Sequence, residues 1–438
     1  MTFAFIAELV GNFLASYWWA IVPVFFVPAF ISLYTFVNHE KMKRANTWSL
    51  LDIKVSREIK KTPQAMESIL ATINGWGTRP FRKPVEWTSL ELVSIGGEIH
   101  FFIRIQEKFK TLLESTFFSF YQDVEIKEVA DYVERIPSNT AELYARDLDV
   151  WGTELVLEKE GAYPIKSYKE LTGGGEGKEF DPLSIFLEIM GRIDKDELLG
   201  VQMILMPVKT KDIRTKYKFL IDGLKGKSKS TASGGLANLI PPADFLYPKA
   251  PSKEASAKPA VKERSEGDAE KLKAVEDNLS KPMFNTLIRI IYLSPKTIFR
   301  DRYAKQGIVS SFNQYAVLNL NSFKRNDDVG VGEAGDKWPF VFSKKRDEAR
   351  KERILHTYRH RDVPPATFLG KFISSMPFHH NIGSKYCELS VESLATIYHL
   401  PTTVSLTAPY MNRVESRKVG PPLGLAIYGE DKDLEIFE

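Results

Sequence analysis

The sequence predicts an α+β protein with an N-terminal membrane anchor. Three observations point there: a long uncharged stretch near the N-terminus, one order of strands and helices that occurs twice, and a polar tract that interrupts the second occurrence. The 438 residues, 43% hydrophobic and 26% charged, fit a globular chain of two or three domains. The net charge of +4 is too small to argue for nucleic acid by itself. The single cysteine, Cys387, excludes an intrachain disulfide framework and a cysteine-rich zinc site.

Residues 17–37 (YWWAIVPVFFVPAFISLYTFV) form a run of 21 without a charge. That is enough helix to cross a hydrocarbon core of about 30 Å. Tyr17, Trp18 and Trp19 suit one interface, and the basic flank of Lys41, Lys43 and Arg44 suits the other. The anchor is therefore set at 1–45. The expected location is a bacterial inner membrane, single-pass, with the N-terminus outside and the bulk in the cytoplasm. A cleaved signal peptide fits less well, because no basic region precedes the run and no small-residue cleavage site follows it.

Residues 49–56 alternate as a strand, with Leu51, Ile53 and Val55 on one face. Thr62 and Pro63 open a helix whose stripe is Met66, Ile69, Leu70 and Ile73. Residues 89–105 read as a hairpin turned at Gly96-Gly97. A helix with Phe109, Leu113 and Phe117 follows, then a strand over 124–129. The order is β-α-β-β-α-β, the ferredoxin-like unit. It recurs with strand candidates at 151–158, 198–206, 283–293 and 318–323, and with helices opened at Asp181-Pro182 and Ser294-Pro295. The expected domains are a first unit at 46–135, a second at 148–325, and a helical or irregular extension at 326–438. An insertion at 207–282 splits the second unit. Its stretch 223–276 holds almost no large apolar side chain and is expected to be disordered.

The chemistry is sparse. The run GLKGKSKSTASGG from Gly223 lacks the glycine a phosphate loop needs at 221, where Ile221 stands. The run beginning at Thr172 has Glu179 where Ser or Thr would hold magnesium. His356 and His360 stand at i, i+4, a spacing that can offer two imidazoles to zinc, but Thr357 replaces the HExxH glutamate and a solvated helix face accounts for the pair. No nucleophile elbow is present. The chain is read as a non-enzyme without cofactor. Two basic tracts remain. Residues 209–229 hold eight Lys/Arg against two Asp, and residues 344–361 hold eight Lys/Arg against three acids. Candidate contacts to phosphate or lipid are Lys41, Lys43, Arg44, Lys209, Lys211, Arg214, Lys216, Lys218, Lys344, Lys345 and Arg346.

Three stretches carry a resemblance: LDIKVSREIKKTPQAMESILATING (51–75), SLELVSIGGEIHFFIRIQEKFKTLLESTFFSFYQDVEI (89–126) and ELSVESLATIYHLPTTVSLTAPYMNRVESRKVGPP (388–422). Together they resemble the N-terminal half of membrane-anchored ATPases related to type IV secretion and conjugation coupling proteins of uncultured small-genome bacteria. In that family this half precedes a RecA-like motor, whose Walker segments the present sequence lacks. The resemblance implies a non-catalytic assembly or docking module of a translocation machine. Its partners would be the lipid bilayer, a separate RecA-like motor ATPase or other secretion subunits, DNA, and further copies of itself. The alternative is a membrane-tethered nucleic-acid-binding protein that uses the two basic tracts.

Overall fold

Strands here are written in their side chains. Thr88–Ile95 and Glu98–Gln106 are rich in β-branched and aromatic residues, and Gly96 and Gly97 between them adopt φ of 61° and 88°. A residue with a Cβ at Gly96 would also meet the Lys195 carbonyl oxygen at 2.7 Å, so the tight two-residue turn needs glycine.

The computed structural model describes residues 16, 26–55, 63–77, 86–121, 124–172, 181–225, 266–332, 342–365, 367–376 and 379–401. Helix α1 covers 26–45. Then come β1 (Trp48–Val55), α2 (Pro63–Trp76), β2 (Thr88–Ile95), β3 (Glu98–Gln106), α3 (Lys110–Phe120) and β4 (Val124–Val129). The middle holds α4 (Thr140–Ala145), β5 (Leu148–Leu157), α5 (Tyr168–Thr172), α6 (Ser184–Met190), β6 (Leu198–Val208), α7 (Thr210–Lys216) and α8 (Lys218–Leu224). The rest is α9 (Glu266–Ser280), β7 (Met283–Pro295), α10 (Val309–Ser311), β8 (Phe323–Arg325), α11 (Ser343–Arg359), α12 (Phe368–Ser374), β9 (Cys387–Ser390) and α13 (Val391–Ile397).

The strands make one antiparallel nine-stranded sheet in the order β4-β1-β3-β2-β6-β7-β5-β8, with β9 added beside β7. This corrects the expectation of an anchor followed by two small ferredoxin-like units. The joint is β2 against β6, in register from Thr88↔Leu205 to Ile95↔Leu198. Strand β6 is buried along its whole length, so it suits the interior of a wide sheet and not the rim of a small one.

The anchor and the single-pass location are also corrected. Among the described residues no helix is long and apolar enough to cross a membrane. Residues 17–25 of the expected span lie outside the described residues. The described part is α1, which continues as helix past the expected end of the span at 37. Its second half carries Glu40, Lys41, Lys43 and Arg44, and the Ser32 hydroxyl oxygen accepts the Leu369 backbone N–H at 3.2 Å.

Part of the insertion is helical. Helices α7, α8 and α9 pack together, and Ile213, Tyr217, Val275, Leu279 and Met283 form a second small core. Helix α9 takes up the last part of the stretch expected to lack structure. Residues 226–265, including most of GLKGKSKSTASGG, lie outside the described residues, as do 173–180 and 402–438.

The two faces of the sheet differ. On one, Phe101 meets Tyr398 edge-on, with α2 and α13 packed together nearby. On the other lies α11. Residues Glu91, Gln202, Arg289 and Glu154 stand directly opposite one another on β2, β6, β7 and β5, so they form one polar row under α11. All four are buried. Helix α11 comes close because two strand positions are glycine. A Cβ at Gly152 would meet Ile354 at 2.6 Å, and one at Gly200 would meet the Tyr358 hydroxyl at 2.1 Å.

Candidate functional site

The polar row ends in a charged lock. Arg289 donates to Glu154 at 3.0 Å and to the Thr357 carbonyl at 3.1 Å. Gln202 donates to the Tyr358 carbonyl at 3.2 Å. Arg361, just past α11, has φ of 49° and is 1% exposed. Its Nη2 donates to Glu91 at 3.0 Å, and its Nη1 donates to Asp131 at 2.7 Å. Burial alone would lower the Arg361 pKa, but the Glu91 carboxylate holds it well above the ordinary value. Burial would raise that of Asp131, and the hydrogen bond and charge of Arg361 hold it low instead. Arg361 is thus fully committed to the fold, and its left-handed backbone is fixed by contacts on both sides.

Beside the lock opens a cleft of about 450 Å³, lined by Trp48, Trp87, Arg104, Lys43, Lys108 and His360 and also by the acids Glu86 and Asp362. A neighbouring cleft of about 240 Å³ shares Lys43 and Trp87 and continues past Met206, Lys371 and Tyr386. Strand geometry builds the floor. Leu50 and Ser89 both stand opposite Arg104 on β3, so Trp48 and Trp87, each two positions before one of them, flank the guanidinium on the α11 face. The Trp48 and Trp87 rings stack at 4.1 Å and 27°. The Arg104 guanidinium carbon lies 5.2 Å from the first ring centre and 5.7 Å from the second.

Arg104 has Arg361, Asp131 and Glu91 as charged neighbours and makes no ion pair among the described residues. Burial lowers its pKa, and the positive charge of Arg361 lowers it further, to about 10. The carboxylates of Asp131 and Glu91 that oppose this shift are already bonded to Arg361. Lys108 pairs with Glu86, and Lys43 pairs with Glu40 at 2.7 Å. A half-buried guanidinium on two stacked indoles, without an ion pair among the described residues, is arranged to receive an anion and to place a flat group against a ring.

Of the residues chosen from sequence, Lys43 lines both clefts and His360 lines the larger one. Lys41 and Arg44 lie exposed on α1 outside them. Lys209, Lys211, Arg214, Lys216 and Lys218 sit on or beside α7 and α8, line neither cleft, and Lys216 pairs with Glu388. Lys344, Lys345 and Arg346 occupy the start of α11, with Lys345 over the Phe342 ring at 5.7 Å. The remainder of that tract is largely internal: Arg350 bonds the Gly330 carbonyl, Lys351 bonds Asp149 and Arg361 is locked.

His356 and His360 do share a face, with ring centres 4.5 Å apart, and His380 joins them. However, the His356 and His380 rings stack at 3.8 Å and 11°. Imidazole lone pairs lie in the ring planes, so stacked rings do not converge on one ion. Among the described residues no group of three His, Cys, Asp or Glu side chains is placed to hold a metal. Burial, then the His380 and His360 rings, hold the His356 pKa down to about 4.

Fold and site together define a mixed α/β protein built on one wide antiparallel sheet, with a tryptophan-floored cleft that holds Arg104 beside α11. The chain belongs to the family described as a domain of unknown function, DUF8128, which matches residues 34–322. That match takes in Lys43, Trp48, Trp87 and Arg104, while Arg361 and α11 lie beyond it. No curated protein matches the chain.

Proposed function

We propose that this chain is a non-catalytic binding module that grips single-stranded nucleic acid in the tryptophan–arginine cleft. The observation that carries the reading is Arg104, a cation with no ion pair among the described residues, set against two stacked indoles. A phosphate supplies the missing anion, and a splayed base supplies the flat group. Every base has a π-face, so such a site tolerates sequence, and each base–aromatic contact contributes about 1–3 kcal/mol. A duplex keeps its bases stacked on one another and offers only its phosphates.

A titration with a short oligothymidylate, followed through tryptophan fluorescence, tests this. Saturable quenching is expected, with binding weakened by about 1–3 kcal/mol in Trp87→Ala. Equal affinity for a duplex of the same length, or no effect of Trp87→Ala, would refute it.

The stretches at 51–75, 89–126 and 388–422 favour a setting for this module. Their resemblance to coupling-protein ATPases supports a docking role in a type IV secretion- or conjugation-like translocation machine, beside a separate motor. Purification of the tagged chain from its own cells should bring down a Walker-bearing ATPase. Recovery without any ATPase or secretion subunit speaks against this setting and leaves the cleft reading intact.

A further inference from the structure

The cleft does not stop at the indoles. Its smaller part reaches Met206, near the end of β6, and four residues later α7 begins. There Lys211 and Arg214 stand at i, i+3 on α7 and Lys218 opens α8, and with Thr210 and Thr215 they line a shallow groove of about 480 Å³. Lys211 and Lys218 make no ion pair among the described residues. Arg214 is oriented by its Nε, which donates to the Leu279 carbonyl of α9 at 3.4 Å and leaves the rest of the fork to the groove. Phe219, 81% exposed, follows directly. Lys211 and Arg214 at i, i+3 lie about 5–6 Å apart along α7, and Lys218 shares their groove, so these cations can meet phosphates of an extended strand.

We infer that the face bearing Lys211, Arg214 and Lys218 is a second contact surface for the same nucleic-acid strand. The strand would be held by its bases at Trp48 and Trp87, pass Met206, and lay its phosphates along α7 and α8. The inference rests on the cleft reading. It adds a direction of travel and a length: an oligonucleotide long enough to leave the cleft gains contacts that a short one lacks. The gain is electrostatic and therefore dependent on salt, whereas the indole contribution is not.

Fluorescence anisotropy with labelled oligothymidylates of about four and about sixteen nucleotides, the range of single-strand site sizes, tests it across a salt series. In Lys211→Ala/Arg214→Ala/Lys218→Ala, affinity for the long oligonucleotide should fall. The slope of log affinity against log salt should shrink by about 2, three phosphates at about 0.7 each. Affinity for the short one should be unchanged. Arg214 also bonds Leu279, so the double variant Lys211→Ala/Lys218→Ala keeps the test sound if the triple variant is less stable. Its slope should shrink by about 1.4. An unchanged slope for the long oligonucleotide, or equal losses on both, overturns the second surface while the cleft stands. A parent protein that binds neither oligonucleotide overturns the cleft reading and this inference with it.

Discussion

Arg104 is held at an energetic disadvantage. Its folded pKa, about 10, lies below the value of a free guanidinium. At every pH below that, charging it costs more in the fold than in the unfolded chain, so the cation weakens the fold across the physiological range. Replacing it with a flat-packing neutral side chain should therefore leave stability intact while removing the anion contact. Arg104→Met is expected to melt at or above the parent temperature, and a drop of more than a few degrees would show that the cation–π contact outweighs the burial cost. The stacked histidines act in a defined pH window. The folded pKa of His356 is lowered to about 4, and that of His380 is also lowered. As pH falls below about 6.5, the unfolded chain takes up protons that the folded one refuses, so stability is lost between about pH 6.5 and 4. Melting temperature followed over that range should fall less steeply in His356→Phe than in the parent.

At the scale of elements, α11 decides the architecture beside the cleft. It lies against Gly152 and Gly200 and closes the polar row with Tyr358 and Arg361. Gly200→Ala would press a methyl group on the Tyr358 hydroxyl and is expected to cost about 1–3 kcal/mol, read from urea unfolding. A neutral result would mean that α11 can shift without loss. Much of this level was legible in the sequence. The stripe Met66, Ile69, Leu70, Ile73 is the buried face of α2, and Gly96-Gly97 is the hairpin turn. The charged run at 344–361 was legible as a helix and misleading as a surface. Composition cannot show that Arg350 and Arg361 turn inward, because their partners Gly330, Glu91 and Asp131 are brought in by the fold. The cleft was missed for the same reason. Trp48, Trp87 and Arg104 meet only through strand register. A faint signal existed: a tryptophan stands at or just before the start of each of two strands that pair with β3, in TWSLL and EWTSL.

For the whole molecule, the joint between β2 and β6 is the main departure from expectation. Local pattern set the strands on either side of it, but nothing local says that an apolar edge will pair with another from the same chain. Because eight residue pairs and one polar row cross this joint, the two halves should unfold together. Circular dichroism and tryptophan fluorescence should give coincident transitions, and two separated transitions would mean that the halves are independent units. The central claim concerns the cleft and is tested most directly by one equilibrium measurement. The affinity of a short oligothymidylate is compared between the parent and a folded Arg104→Met at the same salt. A loss of tenfold or more, with the melting temperature maintained, is the predicted result. Equal affinity in the two proteins would contradict it.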